Sequence, residues 1–241
     1  MSNSLTIRDL TVSYQAEPVL FDIDLDLPTG QLCAIVGPNG AGKSTLIRTI
    51  LGLQKPSAGT ISVLNTPNPE GIKKLGYVPQ RSSVDWDFPT DVAEVVLMGT
   101  YRSLGWFKRP GKAERDRAQA ALEAVRMQDF ANRQISELSG GQQQRVFLAR
   151  ALAQDAPVTL MDEPFAGIDA ASEQQIFEVL QSMRSAGKTA IVVHHDLETV
   201  GQYFDHITLL NRRIIASGPT SKIFTPELLA QTYGFAGVLK P

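Results

Sequence analysis

The apolar positions of this chain fall into two kinds of run. Leu5, Ile7 and Leu10 stand among polar neighbours, and Leu20 to Leu27 alternates with the acids Asp22, Asp24 and Asp26. A period of two with one acidic face predicts strands that bury one side and wet the other. Leu32–Val36 is an unbroken apolar run ending in a glycine cluster, and the same character returns at Val158–Met161 and Ala190–Val193. Unbroken apolarity suits strands covered on both faces, as in a parallel sheet. Helical patterns precede or follow these runs, so the alternation predicts an α/β, doubly wound core. From Asp91 to Arg126 the spacing is helical, with Ala118, Ala121, Leu122 and Val125 on one face. No buried strand is expected between Val78 and Val158, an interval long enough for an inserted helical subdomain. Pro226 to Pro241 reads as a short helix with a loose end.

Composition narrows the class. With 241 residues, 43% of them hydrophobic, one compact domain is expected rather than two. Lys and Arg total 23 against 25 Asp and Glu, a net charge of −2, which argues against a nucleic-acid partner. The lone cysteine, Cys33, excludes an internal disulfide framework and a cysteine-only metal site. Met1 to Asp9 lacks a positive stretch followed by an apolar run, so no signal peptide is expected. The longest apolar runs fall short of the roughly 18 residues that cross a bilayer. The sequence shows no internal repeat and no low-complexity tract.

Chemistry concentrates in three places. Gly37-Pro38-Asn39-Gly40-Ala41-Gly42-Lys43-Ser44-Thr45 follows one buried strand and opens a helical run, Thr45–Leu51. It matches the pattern of a phosphate-binding loop, a match that chance supplies in roughly one chain in a hundred of this length. Glycines let backbone N–H groups curl round phosphate oxygens where a side chain would collide. Lys43 offers a point charge to the outer phosphates, Ser44 a hydroxyl to Mg²⁺, and the helix its positive end. Val158 to Met161 runs into Asp162 and Glu163, two acids at the mouth where such sheets bind ligand. Asp162 is placed to hold the metal, and Glu163 to act as the general base on an attacking water, a role that contributes about 10²–10⁴ in rate. Ser139-Gly140-Gly141-Gln142, ahead of a helical stretch from Gln143 to Leu152, offers a hydroxyl and N–H groups to a second phosphate; read plainly, it is a capped helix.

With these motifs in this order, the chain resembles the nucleotide-binding subunit of an ATP-binding-cassette (ABC) transporter over roughly Leu5 to Gly218. The resemblance implies a P-loop NTPase core with a mostly parallel sheet, an N-terminal antiparallel β subdomain and an inserted α-helical subdomain. Residues 1–80 and 156–220 would form the catalytic core with its β subdomain, 81–155 the helical subdomain, and 221–241 a short C-terminal helix and tail. Tyr14 corresponds to the aromatic that stacks on adenine. Gln80, in Tyr77-Val78-Pro79-Gln80, matches the glutamine that contacts Mg²⁺ and answers to the membrane partner. Asp169, in Gly167-Ile168-Asp169, lies in a segment that resembles the loop crossing the dimer interface. His195 matches the histidine that touches the γ-phosphate and braces the glutamate, whereas His194 has no such counterpart and is read as structural. In that family two cassettes stack head to tail. Ser139, Gly140 and Gln142, with Gly141 between them, would therefore serve the ATP held by a second copy or another cassette.

The interval from Gln80 to Pro110 holds Trp86, Phe88, Tyr101, Trp106 and Phe107. Such a cluster makes either a subdomain core or a docking surface. The stretches Val84 to Pro89, Leu97 to Gly99 and Leu104 to Phe107 are similar to the cassettes of manganese, zinc and iron importers. That likeness implies an ATP-hydrolysing motor for a divalent metal, using ATP and Mg²⁺ on the cytoplasmic face of the cell membrane. Its partners would be a second copy, integral-membrane permease subunits and, indirectly, an extracytoplasmic metal-binding protein, with no nucleic acid. His194, His195, His206 and Cys33 form no ligand spacing for the cargo metal. No long C-terminal extension follows, so regulation within the chain is not expected. The alternatives are a cassette for another substrate class, or an ABC protein of translation or repair. Those translation members usually carry two cassettes, and the repair members a long coiled-coil insertion, neither of which is present. A GTP switch would need an Asn-Lys-x-Asp tetrad, which the sequence lacks.

Overall fold

An opening hairpin turns an imperfect alternation into a sheet. In the computed structural model, which describes residues 2–14, 17–104 and 108–234, β1 (Asn3–Tyr14) pairs antiparallel with β2 (Glu17–Pro28). Each strand has one step of three between inward residues, Ile7 to Leu10 and Leu20 to Ile23, and all four are buried. The ladder shifts at those steps, where Asp9 and Asp22 take positive φ of 49° and 48°. A bulge inserts one residue and returns the next side chain to the core. The chain continues into β3 (Leu32–Val36) and α1 (Lys43–Ile50), then returns to the hairpin as β4 (Ala58–Val63) and β5 (Thr66–Pro67). The resulting antiparallel sheet has the order β2-β1-β4-β5.

The second sheet takes up β6 (Leu75–Val78), after which the described residues form no named strand before Val158 and carry the helices α2 (Val92–Met98), α3 (Tyr101–Leu104), α4 (Lys112–Ala124) and α5 (Gly140–Ala153). Strands resume as β7 (Val158–Asp162), α6 (Ala170–Ser185), β8 (Thr189–Val193), α7 (Leu197–Tyr203), β9 (His206–Asn211) and β10 (Arg213–Pro219). Two short helices close the described chain, α8 (Thr220–Ile223) and α9 (Pro226–Tyr233). Strand order is β10-β9-β3-β8-β7-β6, parallel throughout except for the antiparallel β10 edge.

The unbroken apolar runs are the central strands, and every residue of β3, β7 and β8 is buried. Alternate residues serve opposite faces. Cys33, Ile35, Ile191 and Val193 pack with α1 and the first sheet, whereas Ala34, Val36, Ala190 and Val192 pack with the helical segment and α6. Each fully buried aliphatic side chain contributes about 1.5–3 kcal/mol, so both faces of these strands hold the fold together. The expected α/β core, β subdomain and inserted helices are all present. The expected loose end, residues 235–241, and Trp106 with Phe107 lie outside the described residues. Because β3, β7 and β8 are parallel, their C-terminal ends deliver Gly37, Glu163 and His194 to one edge.

Candidate functional site

Gly37 follows β3 with no space for a side chain, since a Cβ there would stand 2.0 Å from the Leu210 carbonyl oxygen. Gly42, at φ 95°, is left-handed and faces Leu20, whose Cδ2 would lie 2.5 Å from an added Cβ. The loop therefore closes tightly against the strands beside it. Lys43 is buried at the first turn of α1, and its Nζ donates to the Gly37 and Pro38 carbonyls at 2.7 and 3.0 Å. Burial holds its pKa below the usual lysine value, while Glu163 and Asp162 pull it back up. A cavity of about 240 Å³ is bounded by Val19, Asn39 to Thr45 and Glu163.

Asp162 ends β7 and is buried. Desolvation first, and the Glu163 charge second, raise its pKa, opposed by the Ser44 hydroxyl that donates to it and by Arg48 and Lys43. Its Oδ1 is buried with no hydrogen-bond partner. A buried, unsatisfied carboxylate oxygen is costly unless something else pairs with it. Glu163 turns out of the strand at φ 51°, its N–H held by the Val193 carbonyl at 3.2 Å. Gln80 Nε2 donates to Glu163 Oε2 at 2.9 Å across a separation of 83 residues.

A second cluster forms away from that cavity. Ser139 caps α5, accepting from the Gln142 N–H at 3.4 Å, while Gln142 Oε1 accepts from the Ser139 N–H at 2.9 Å. This reciprocal cap starts the helix at Gly140 rather than at Gln143, where the sequence pattern put it. Asp169 caps α6 through the Ser172 N–H and hydroxyl, and these bonds lower its pKa. The two helix starts abut, since a Cβ on Gly141 would lie 2.3 Å from Ser172 Oγ. None of Ser139 to Gln142 lines the glycine-loop cavity.

The chain's residues 20–166 match the family model described as ABC transporter. The chain belongs to the ABC transporter family. It is 57% identical over 228 residues to the manganese transport system ATP-binding protein MntB of Bacillus subtilis, covering 95% of this chain and 91% of that one. It is 55% identical over 231 residues to the zinc transport system ATP-binding protein TroB of Treponema pallidum, covering 96% and 87%. Its fold matches a dimeric, post-hydrolysis ATP-binding cassette bound to ADP and phosphate with a TM-score of 0.77, at 28% identity over 89% of this chain and 98% of that one. This cassette therefore binds nucleotide and hydrolyses ATP in the service of transport.

Within the cassette, the structure brings Gly37 to Thr45, Gln80, Asp162 and Glu163 to one sheet edge, and Ser139 to Gln142 with Asp169 to the abutting starts of α5 and α6. Tyr14 ends β1, 43% exposed, and is not among the residues bounding the cavity. His195 is exposed beside a separate opening lined by Phe165, Glu173, His194, Asp196 and Leu197. Gln80 rather than His195 supplies the Glu163 hydrogen bond, because Gln80 leaves β6 beside β7. The sequence pattern missed Arg81, whose guanidinium donates to Gln143 Oε1 at 3.0 Å and lies against Gly140. Its only signal was adjacency to Gln80. Trp86, half-buried, packs edge-on against Phe147 at 5.0 Å on the flank of the core, while Phe88 and Tyr101 are exposed. Of the three described aromatics in that cluster, one packs against the core and two stay on the surface.

Proposed function

We propose that this cassette is the motor of an importer for a divalent transition metal, with manganese and zinc the cargoes named for its relatives. The observation that carries the catalytic reading is the single sheet edge that joins Lys43, Asp162 and the Gln80–Glu163 pair. Lys43 exchanges its two loop carbonyls for phosphate oxygens, while the N–H groups of Gly40 to Thr45 and the positive end of α1 cradle the rest. The oxygen donors of Ser44, Gln80 and Asp162 suit a hard cation, and the unpartnered Asp162 Oδ1 supports that fit. Mg²⁺ held there supplies neutralisation of the phosphate charge. Glu163, oriented by the Gln80 amide, aligns a water and takes its proton, and His195 contacts the γ-phosphate. Tyr14 stacks on the adenine.

Ser139, Gly140, Gly141 and Gln142 act on the ATP of a second copy, with Asp169 at the seam between the two. Their absence from the cassette's own loop cavity supports this sharing. The permease meets a cavity of about 480 Å³ whose lining includes Arg48, Leu53, Tyr77, Gln80 and Phe147. A permease segment seated there would press on Gln80 and so on Glu163. The cassette thus sits on the cytoplasmic face of the membrane, and an extracytoplasmic binding protein delivers the metal to the permease; no nucleic acid takes part. Glu163→Gln is expected to lower steady-state turnover at least a hundredfold while ATP still binds and holds the dimer closed, as measured by phosphate release and sedimentation. Turnover at the parent rate would remove Glu163 as the base. Stimulation of the reconstituted complex by manganese or zinc tests the cargo.

A further inference from the structure

His194 precedes the proposed γ-phosphate contact, His195, and is buried at the end of β8. Its N–H donates to the Ile35 carbonyl at 3.1 Å, one residue short of the strand end that feeds the glycine loop. The preceding carbonyl, that of Val193, holds the Glu163 N–H. Its ring meets Phe165 edge-on, centroids 5.3 Å apart at 87°, and Phe165 lies two residues beyond Glu163. Phe204 closes another side at 5.3 Å.

The ring also makes one directed bond, between Nε2 and Thr199 Oγ1 at 2.8 Å. Thr199 Oγ1 in turn donates to Asp196 Oδ2 at 3.1 Å, and Asp196 Oδ1 accepts from the Glu198 N–H at 2.8 Å. A hydroxyl has one proton to give, and the carboxylate can only accept. Thr199 therefore gives its proton to Asp196 and accepts from His194, which assigns the proton of the neutral ring to Nε2. Burial pushes the His194 pKa down to about 4, with His195 adding to the shift and the Asp196 carboxylate and backbone opposing it. The donor persists without a positive charge beside His195.

We propose that His194 is a positioning residue: through Thr199 and Asp196 its Nε2–H holds the turn that presents His195, and through Phe165 it ties that turn to the segment carrying Glu163. A merely space-filling residue would need the ring but not the proton. The inference rests on the reading of His195 as the γ-phosphate contact.

The test measures kcat, KM for ATP and thermal midpoint on the whole chain. His194→Phe keeps the ring and removes the donor, and Thr199→Val removes the relay at nearly constant volume. Each is expected to lower kcat at least tenfold with KM and thermal midpoint near the parent values, and the double variant to fall no further than either single one. His194→Gln, which restores a donor, recovers kcat to within about threefold of the parent. Parent kcat in Thr199→Val, or a loss of kcat that merely follows thermal stability, overturns the proposal. His195→Ala separates the two readings. If it abolishes turnover while His194→Phe and Thr199→Val are silent, the relay fails alone; if it turns over at the parent rate, the reading beneath the relay fails as well.

Discussion

Two buried residues at the strand ends carry opposite consequences for stability. Asp162 has its pKa raised, chiefly by desolvation, so its charge is a liability to the folded state at neutral pH and the strain eases on acidification. His194 works the other way. Its folded pKa of about 4 lies below the ordinary 6.5, so between those values the unfolded chain binds a proton that the folded chain refuses. Stability due to His194 is complete above about pH 6.5 and falls as pH drops towards 4, by roughly 3 kcal/mol if fully expressed. His206, lowered by burial as well, adds in the same direction. The urea midpoint of the parent is expected to fall more steeply over pH 6.5 to 4 than that of His194→Phe. Parallel curves would show that the histidine does not stay neutral in the fold.

At the scale of elements, α5 and α6 begin where the proposed second half-site lies. Ser139 and Gln142 satisfy each other at one start, Asp169 and Ser172 at the other, each cap contributing about 1 kcal/mol. Gly141 lets the two starts touch, because a Cβ would collide with Ser172 Oγ. Arg81 joins this corner to Gln80, so the segment proposed to answer to the permease is bonded to the helix proposed to serve the other copy. Ser139→Arg loses the cap and projects a long cation from the helix start. It is expected to keep ATP affinity within about threefold, since the loop cavity does not include Ser139, while abolishing ATP-dependent dimers in sedimentation. Loss of nucleotide binding by the single chain would instead place Ser139 in its own chain's site.

Across the whole molecule, the parallel sheet buried on both faces is the frame, and the loops at one edge are the machine. Among the described residues no helix is long and apolar enough to cross a membrane. The proposed coupling to transport runs through a permease, and the cavity beside Gln80 offers an exposed apolar rim to one, with Leu53 72% exposed. Burying a leucine contributes about 1.5–3 kcal/mol, so Leu53→Asp is expected to weaken capture of the permease roughly ten- to a hundredfold in co-purification. Nucleotide binding by the free chain should stay within twofold. Undiminished capture would move the docking surface elsewhere.

Hydrophobic period alone determined the central strands, because a strand covered on both faces is apolar along most of its length, as Leu32–Val36 is throughout. Spacing alone determined the glycine loop and the paired acids, because their chemistry is local to a few consecutive residues. The bulges at Asp9 and Asp22 were not legible, since a bulge depends on the partner strand's register. The start of α5 was legible only in part, since Ser139 reads as a cap while the helical pattern begins at Gln143. Only the tertiary structure joined Gln80 to Glu163, laid Arg81 on Gly140, and made a relay of His194, Thr199 and Asp196. Those contacts arise where parallel strands end side by side, and strand order is a property of the packed chain that no local pattern contains.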